Sequence, residues 1–116
     1  DLSRAVLNIM NNACYTVEER SQRDSAGYNP TVSIDVHREG DRLIIRIEDN
    51  GMGMTEEVRQ KLFDSFFTTK PIGKGTGLGM PITQDIVQNR HHGTLSFSSE
   101  EGLGTTFTID IPIKLQ

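Results

Sequence analysis

Leu2, Val6, Ile9, Ala13 and Val17 recur at spacings of three and four residues, the period of a helix with one apolar stripe. They predict an amphipathic helix over residues 1–20, with Asp1 or Ser3 placed to cap it. Residues 21–30 are polar and end in Gly and Pro positions typical of a loop. Val32, Ile34 and Val36 then alternate with Ser33, Asp35 and His37, which reads as a half-buried strand. A turn at Glu39-Gly40-Asp41 leads to a second alternating run, Leu43, Ile45 and Ile47, and the two runs form a hairpin. Thr55 followed by Glu56 and Glu57 predicts a capped short helix to about Leu62. A further helix runs from Leu78 to about Asn89, with Pro81 in its first turn. Leu95 and Phe97 mark a third strand, Glu101 to Gly104 a turn, and Phe107, Ile109, Ile111 and Ile113 a fourth strand. Three helices on one face of a largely antiparallel sheet give an α+β two-layer sandwich.

Length and charge narrow the picture. A chain of 116 residues holds one domain with one core. With 12 basic against 16 acidic residues it carries no electrostatic footprint for nucleic acid or an anionic membrane surface. No apolar run approaches the roughly 20 residues that span a bilayer. The single cysteine, Cys14, excludes an internal disulfide and fits a reducing cytoplasm; on the predicted helix it reads as a packed thiol.

Three sets of residues stand out against this pattern. Asp49 has the parity of Leu43, Ile45 and Ile47, so a strand that persists to it points a carboxylate where an apolar residue belongs. The alternative is that the strand ends at Glu48 and Asp49 caps the turn. Thr105 has the core parity of Phe107, Ile109 and Ile111. Together they suggest a small polar spot under an apolar pocket, suited to the amino edge of an adenine ring. On the first helix, Asn8, Asn12 and Tyr15 share one side, where two asparagines are poor helix formers and an ordinary solvated face is the alternative. Their amides, one turn apart, can reach one ligand, and an Asn carbonyl is a hard oxygen suited to Mg²⁺. Finally, Gly73-Lys74-Gly75-Thr76-Gly77-Leu78-Gly79 is either a phosphate-binding loop feeding a helix N-terminus or a linker.

In order along the chain, Asn8-x3-Asn12-Ala13, Asp49-x-Gly51-x-Gly53, Phe63-x2-Phe66-Phe67-Thr68-Thr69-Lys70, Gly75-x-Gly77-Leu78-Gly79 and Gly102-x-Gly104-Thr105-x-Phe107 resemble the N, G1, F, G2 and G3 boxes of the ATP-binding domain of bacterial sensor histidine kinases. The resemblance implies the Bergerat α/β sandwich, with a mixed and mostly antiparallel sheet. It implies that Asn12 coordinates Mg²⁺, that Asn8 contacts phosphate or metal, and that Asp49 accepts the adenine amino group with Thr105 nearby. Gly51 and Gly53 would let the backbone pass close to the base, and Met54 would lie against it. Residues 63–79 would form a lid over the phosphates, in which Lys70, Lys74, Gly75, Thr76, Gly77, Leu78 and Gly79 are candidate contacts. Solvated lid lysines are the alternative for Lys70 and Lys74. Tyr15 replaces the Lys or Asp common in the N box and would flank the nucleotide instead.

Related ATPases of the GHKL superfamily place a Glu four residues before the metal Asn as general base. Here that position is Asn8, which takes no proton. Water and serine need such activation, whereas an imidazole nitrogen is already nucleophilic near neutral pH. The resemblance therefore implies phosphoryl transfer to histidine rather than a GHKL-type ATPase, with a non-catalytic nucleotide-sensing module as the other alternative. His37, His91 and His92 lie outside the His-Glu helical context of a phosphoacceptor, so the acceptor is expected in a separate dimerisation domain that also meets the response regulator. The family domain usually opens with a strand, and this chain opens in the helix. Its first strand and the upstream domain are expected to be missing, leaving an exposed sheet edge or apolar patch. The domain is expected to be cytoplasmic, whether or not its parent is membrane-anchored.

Overall fold

A computed structural model describes residues 2–24, 26–64 and 79–113. The first helix, α1, spans Leu2–Arg23. Ala5, Ile9, Ala13 and Val17 are buried at a spacing of four, with Leu2, Val6 and Met10 packed beside them. The helix runs three residues past the predicted end at 20, so the loop starts later than the polarity of residues 21–23 suggests. Arg20 and Arg23 in the last turn complement the helix dipole, which favours the extension. Cys14 is exposed, contrary to the packed thiol that the sequence predicts. It sits beside, not within, the row of buried residues on α1.

Strands β1 (Val32–Glu39), β2 (Arg42–Asp49), β3 (Thr94–Glu100) and β4 (Gly104–Pro112) form one sheet in the order β1-β2-β4-β3. Each described pairing is antiparallel. Both predicted hairpins form and join side by side, β4 of the second pairing with β2 of the first, so β2 and β4 are central. Their inward rows, Ile45 and Ile47 with Phe107, Ile109 and Ile111, make the core with α1, and Leu95, Ile86 and Val87 close it. Phe63, Phe97 and Phe107 stack in sequence at centroid distances of 6.0 and 5.6 Å across the third side. Strand β1 is an edge, and its inward Ile34 and Val36 remain 50% and 56% exposed, because the helices cover the β2–β4 side of the sheet.

Helix α2 (Glu56–Lys61) starts as predicted, with the Thr55 hydroxyl accepting from the Val58 N–H at 3.2 Å. Helix α3 (Gly79–Gln84) differs from the single helix expected up to Asn89. At Asp85 it widens into a π-helical segment ending at Arg90. The His91 N–H reaches back five residues to the Ile86 carbonyl at 3.1 Å. The wider turn lets the adjacent Ile86 and Val87 both face the core.

Candidate functional site

Strand β2 persists through Asp49, and the carboxylate it carries to the core end is only 6% exposed. Thr105, at 7% exposure, sits directly opposite it in the β2–β4 register. The polar spot expected from strand parity is therefore present, made by two neighbouring side chains. Asp49 also does what the alternative reading asked of it. Its Oδ1 accepts from the Gly51 N–H at 2.9 Å and closes the turn that follows the strand. Burial pushes the Asp49 carboxyl above its ordinary range, and backbone N–H bonds from Gly51 and Thr105 oppose that rise.

A hydroxyl relay continues from this pair. The Thr105 hydroxyl lies 2.8 Å from the Ser99 hydroxyl, which also receives the Met54 N–H at 2.8 Å. Ser99 faces Thr105 in the β3–β4 register. In the sequence it carries no signal, because a serine in an alternating strand looks like a solvent position. Met54 itself packs against the core.

The glycines of the loop have an internal cause. A Cβ on Gly51 would lie 2.4 Å from the Thr16 methyl carbon of α1. Gly53 has a φ of +71°, and a Cβ there would meet the Glu100 carbonyl oxygen at 2.1 Å. The family resemblance ascribes both glycines to a close approach of backbone to a base. Among the described residues, close packing of the loop on α1 and β3 already demands them. Gly79 is different: among the described residues nothing lies within 4 Å of a Cβ built on it.

Asn8, Asn12 and Tyr15 are all partly buried along α1. The Asn8 side-chain nitrogen donates to the Gly79 carbonyl at 3.3 Å and to the Thr83 hydroxyl at 3.2 Å. A carbonyl can only accept, so the amide must present its nitrogen there. Thr83, fully buried, donates in turn to the Gly79 carbonyl at 2.7 Å. Asn8 thereby ties α1 to the first turn of α3. Thr83 gave no signal in the sequence, since a threonine inside an apolar helix is commonplace. Lys70, Lys74, Gly75, Thr76, Gly77 and Leu78 lie outside the described residues.

A cavity of about 390 Å³ opens on the outward face of this end of the sheet, where Ser33, Glu48, Ser98 and Thr106 line it together with Asp49 and Thr105. No residue of α1 lines it, so it is distinct from the surface that carries the asparagines. Among the described residues no group of three or more His, Cys, Asp or Glu side chains could hold a metal. No helix among them is long and apolar enough to cross a membrane.

Comparison with known proteins agrees with this arrangement. The family described as histidine kinase-, DNA gyrase B-, and HSP90-like ATPase matches residues 1–115. Sporulation kinase B of Bacillus subtilis is 38% identical over 114 residues, which cover 98% of this chain and 24% of that protein. The signal transduction histidine-protein kinase AtoS of Escherichia coli is 37% identical over 116 residues, 99% of this chain and 17% of that protein. The chain thus spans a quarter or less of the length of these relatives. Among solved structures, a nucleotide-free catalytic domain of histidine kinase ThkA superposes with a TM-score of 0.73 at 28% identity, covering 97% of this chain and 69% of that one. The mycobacterial sensor histidine kinase MprB superposes with a TM-score of 0.71 at 26% identity, covering 94% of this chain and 68% of that one. The chain belongs to the histidine kinase-, DNA gyrase B- and HSP90-like ATPase family, as an ATP-binding domain of the sensor histidine kinase type.

Proposed function

We propose that this domain binds ATP with Mg²⁺ and presents the γ-phosphate to a histidine carried by a separate dimerisation domain of the same protein, from which a response regulator is then served. Asp49 accepts the adenine amino group, with Thr105 beside it and Gly51, Gly53 and Met54 along the base. The Asn12 oxygen holds Mg²⁺, Asn8 faces the phosphate end and Tyr15 flanks the nucleotide. Lys70, Lys74, Gly75, Thr76, Gly77, Leu78 and Gly79 meet the phosphates. Bound Mg²⁺ supplies neutralisation of phosphate charge. The chain's own residues orient the nucleotide, which is most of what a phosphoryl-transfer enzyme contributes. The domain works in the cytoplasm.

The observation that supports a kinase over a hydrolase is the Asn8 tether. Where water attack needs a proton acceptor, α1 offers an amide whose nitrogen is committed to Gly79 and Thr83. The histidines sit in structural settings. His37 lies on β1 between Asp35 at 3.0 Å and Glu39 at 3.6 Å, and His91 caps the π-helical segment.

With γ-labelled ATP and Mg²⁺, the 116-residue chain alone is expected to gain no acid-labile label, and to pass label to the histidine-bearing domain of its parent when that is added. Acid-labile label on the chain alone overturns the reading, and steady ATP hydrolysis replaces it with a hydrolase. Asn12→Ala is expected to leave metal-free nucleotide affinity within about twofold and to abolish its enhancement by Mg²⁺. Calorimetric titration with and without a chelator checks this; a retained Mg²⁺ effect removes Asn12 from the metal site.

A further inference from the structure

Two residues one helical turn apart on α1 reach the loop that follows Asp49. The Thr16 hydroxyl accepts from the Met52 N–H at 2.9 Å. One guanidinium nitrogen of Arg20 donates to both the Asn50 carbonyl at 3.0 Å and the Gly51 carbonyl at 3.1 Å. The Arg20 guanidinium also lies over the Tyr28 ring, 4.7 Å from its centroid. The Tyr28 hydroxyl is 2.9 Å from the Asn50 carbonyl and 3.0 Å from the Asn50 Oδ1. The Asn50 side chain is itself held, accepting from the Thr31 N–H and donating to the Asn29 carbonyl, each at 2.8 Å.

These bonds fix two successive peptide planes at both polar ends. The Asn50–Gly51 plane has its carbonyl on Arg20 and Tyr28 and its N–H on the Asp49 carboxylate. The Gly51–Met52 plane has its carbonyl on Arg20 and its N–H on Thr16. Glycine alone would leave this backbone free to rotate. With each plane held from opposite sides, the Gly51 N–H stays on Asp49 Oδ1, and the plane of the buried carboxylate is set.

We infer that Thr16, Arg20 and Tyr28 are positioning residues for purine recognition: they lock the Asn50–Gly51–Met52 backbone and so hold the Asp49 carboxylate in the orientation that accepts the amino group of adenine. The inference rests on the proposed role of Asp49. None of the three residues needs to touch the nucleotide, and their effect is specific to the base edge.

The test compares affinities for ATP and for purine riboside triphosphate, which lacks the 6-amino group, across the wild type, Arg20→Met, Tyr28→Phe and Thr16→Val. The wild type is expected to prefer ATP by about tenfold or more, since a site built around a hydrogen bond rejects the analogue lacking it. In Arg20→Met the preference is expected to fall to within about twofold, with affinity for the analogue nearly unchanged. Tyr28→Phe removes the hydroxyl that meets Asn50, Thr16→Val removes the acceptor of the Met52 N–H, and both are expected to fall between. The ratio does not depend on the folded fraction, and the two milder variants carry the test if Arg20→Met fails to fold. A wild type without preference removes the Asp49 reading and this inference with it. A wild-type preference that survives in all variants, or an equal loss for both nucleotides, overturns the inference and leaves the Asp49 reading standing.

Discussion

Asp49→Asn is expected to weaken adenine nucleotide binding by about 100-fold, or about 2.7 kcal/mol, while raising the thermal midpoint of the nucleotide-free domain at pH 7. The substitution is isosteric. The Gly51 N–H keeps an oxygen to donate to, so the turn after β2 survives. The other end of the side chain becomes an NH₂ that would face the adenine NH₂, donor against donor. The stability arm follows from burial. The Asp49 carboxyl is held above its ordinary range by desolvation, more than the Gly51 and Thr105 N–H bonds lower it. A group with a raised folded pKa gives its stability below the unfolded value and loses it as pH rises through the folded value. The ionised carboxylate is therefore the form that the fold disfavours. Removing the charge should lift the midpoint at pH 7 and leave it unchanged near pH 3, where both states are protonated. Calorimetric titration and melting at the two pH values check both arms. Unchanged affinity removes Asp49 from base recognition, and a lower midpoint at pH 7 refutes the linkage argument.

The burial of its carboxylate is also why Asp49 stands out in the sequence. Strand parity marks an inward position, and a carboxylate there contradicts the hydrophobic pattern around it. Thr105 was legible for the same reason. The helices and both hairpins follow from periodicities that local chemistry enforces, so α1, β1, β2 and α2 lie close to their expected bounds. What stayed hidden depends on contacts between elements. Thr83 becomes special only because Asn8 lies across from it, 75 residues away in the chain. Ser99 needs the β3–β4 register, and Arg20 and Tyr28 need the loop folded back onto the end of α1. The π-helical segment has no composition of its own, and only the joint burial of Ile86 and Val87 accounts for it. The glycines were seen but their cause was not. Spacing reveals that a side chain is excluded; the nature of what excludes it is a tertiary fact.

Gly104 makes this concrete, and substituting it is expected to have the largest effect on stability. Its φ is +142°, a conformation that L side chains rarely adopt, and a Cβ there would lie 2.1 Å from the Asp49 carbonyl oxygen. The obstructing atoms are backbone of the central strand and cannot rotate aside. Strain of about 1–2 kcal/mol from the dihedral and about 1–3 from overpacking should add. Gly104→Ala is thus expected to cost about 3 kcal/mol, a drop of roughly 12 °C for a domain of this size. Gly102→Ala is the matched control. Its φ of +85° is also unfavourable, but nothing lies within 4 Å of the added carbon, so it should cost only about 1 kcal/mol. The difference between the two reports the crowding of Gly104 against the Asp49–Asn50 backbone together with its more extreme dihedral. Because Gly104 precedes Thr105 and abuts the Asp49 peptide, the surviving folded Gly104→Ala protein should also bind nucleotide more weakly than Gly102→Ala. Equal midpoints for the two variants would mean that β4 can slide away from Asp49 at little cost. The floor under the Asp49–Thr105 pair would then be softer than its register implies.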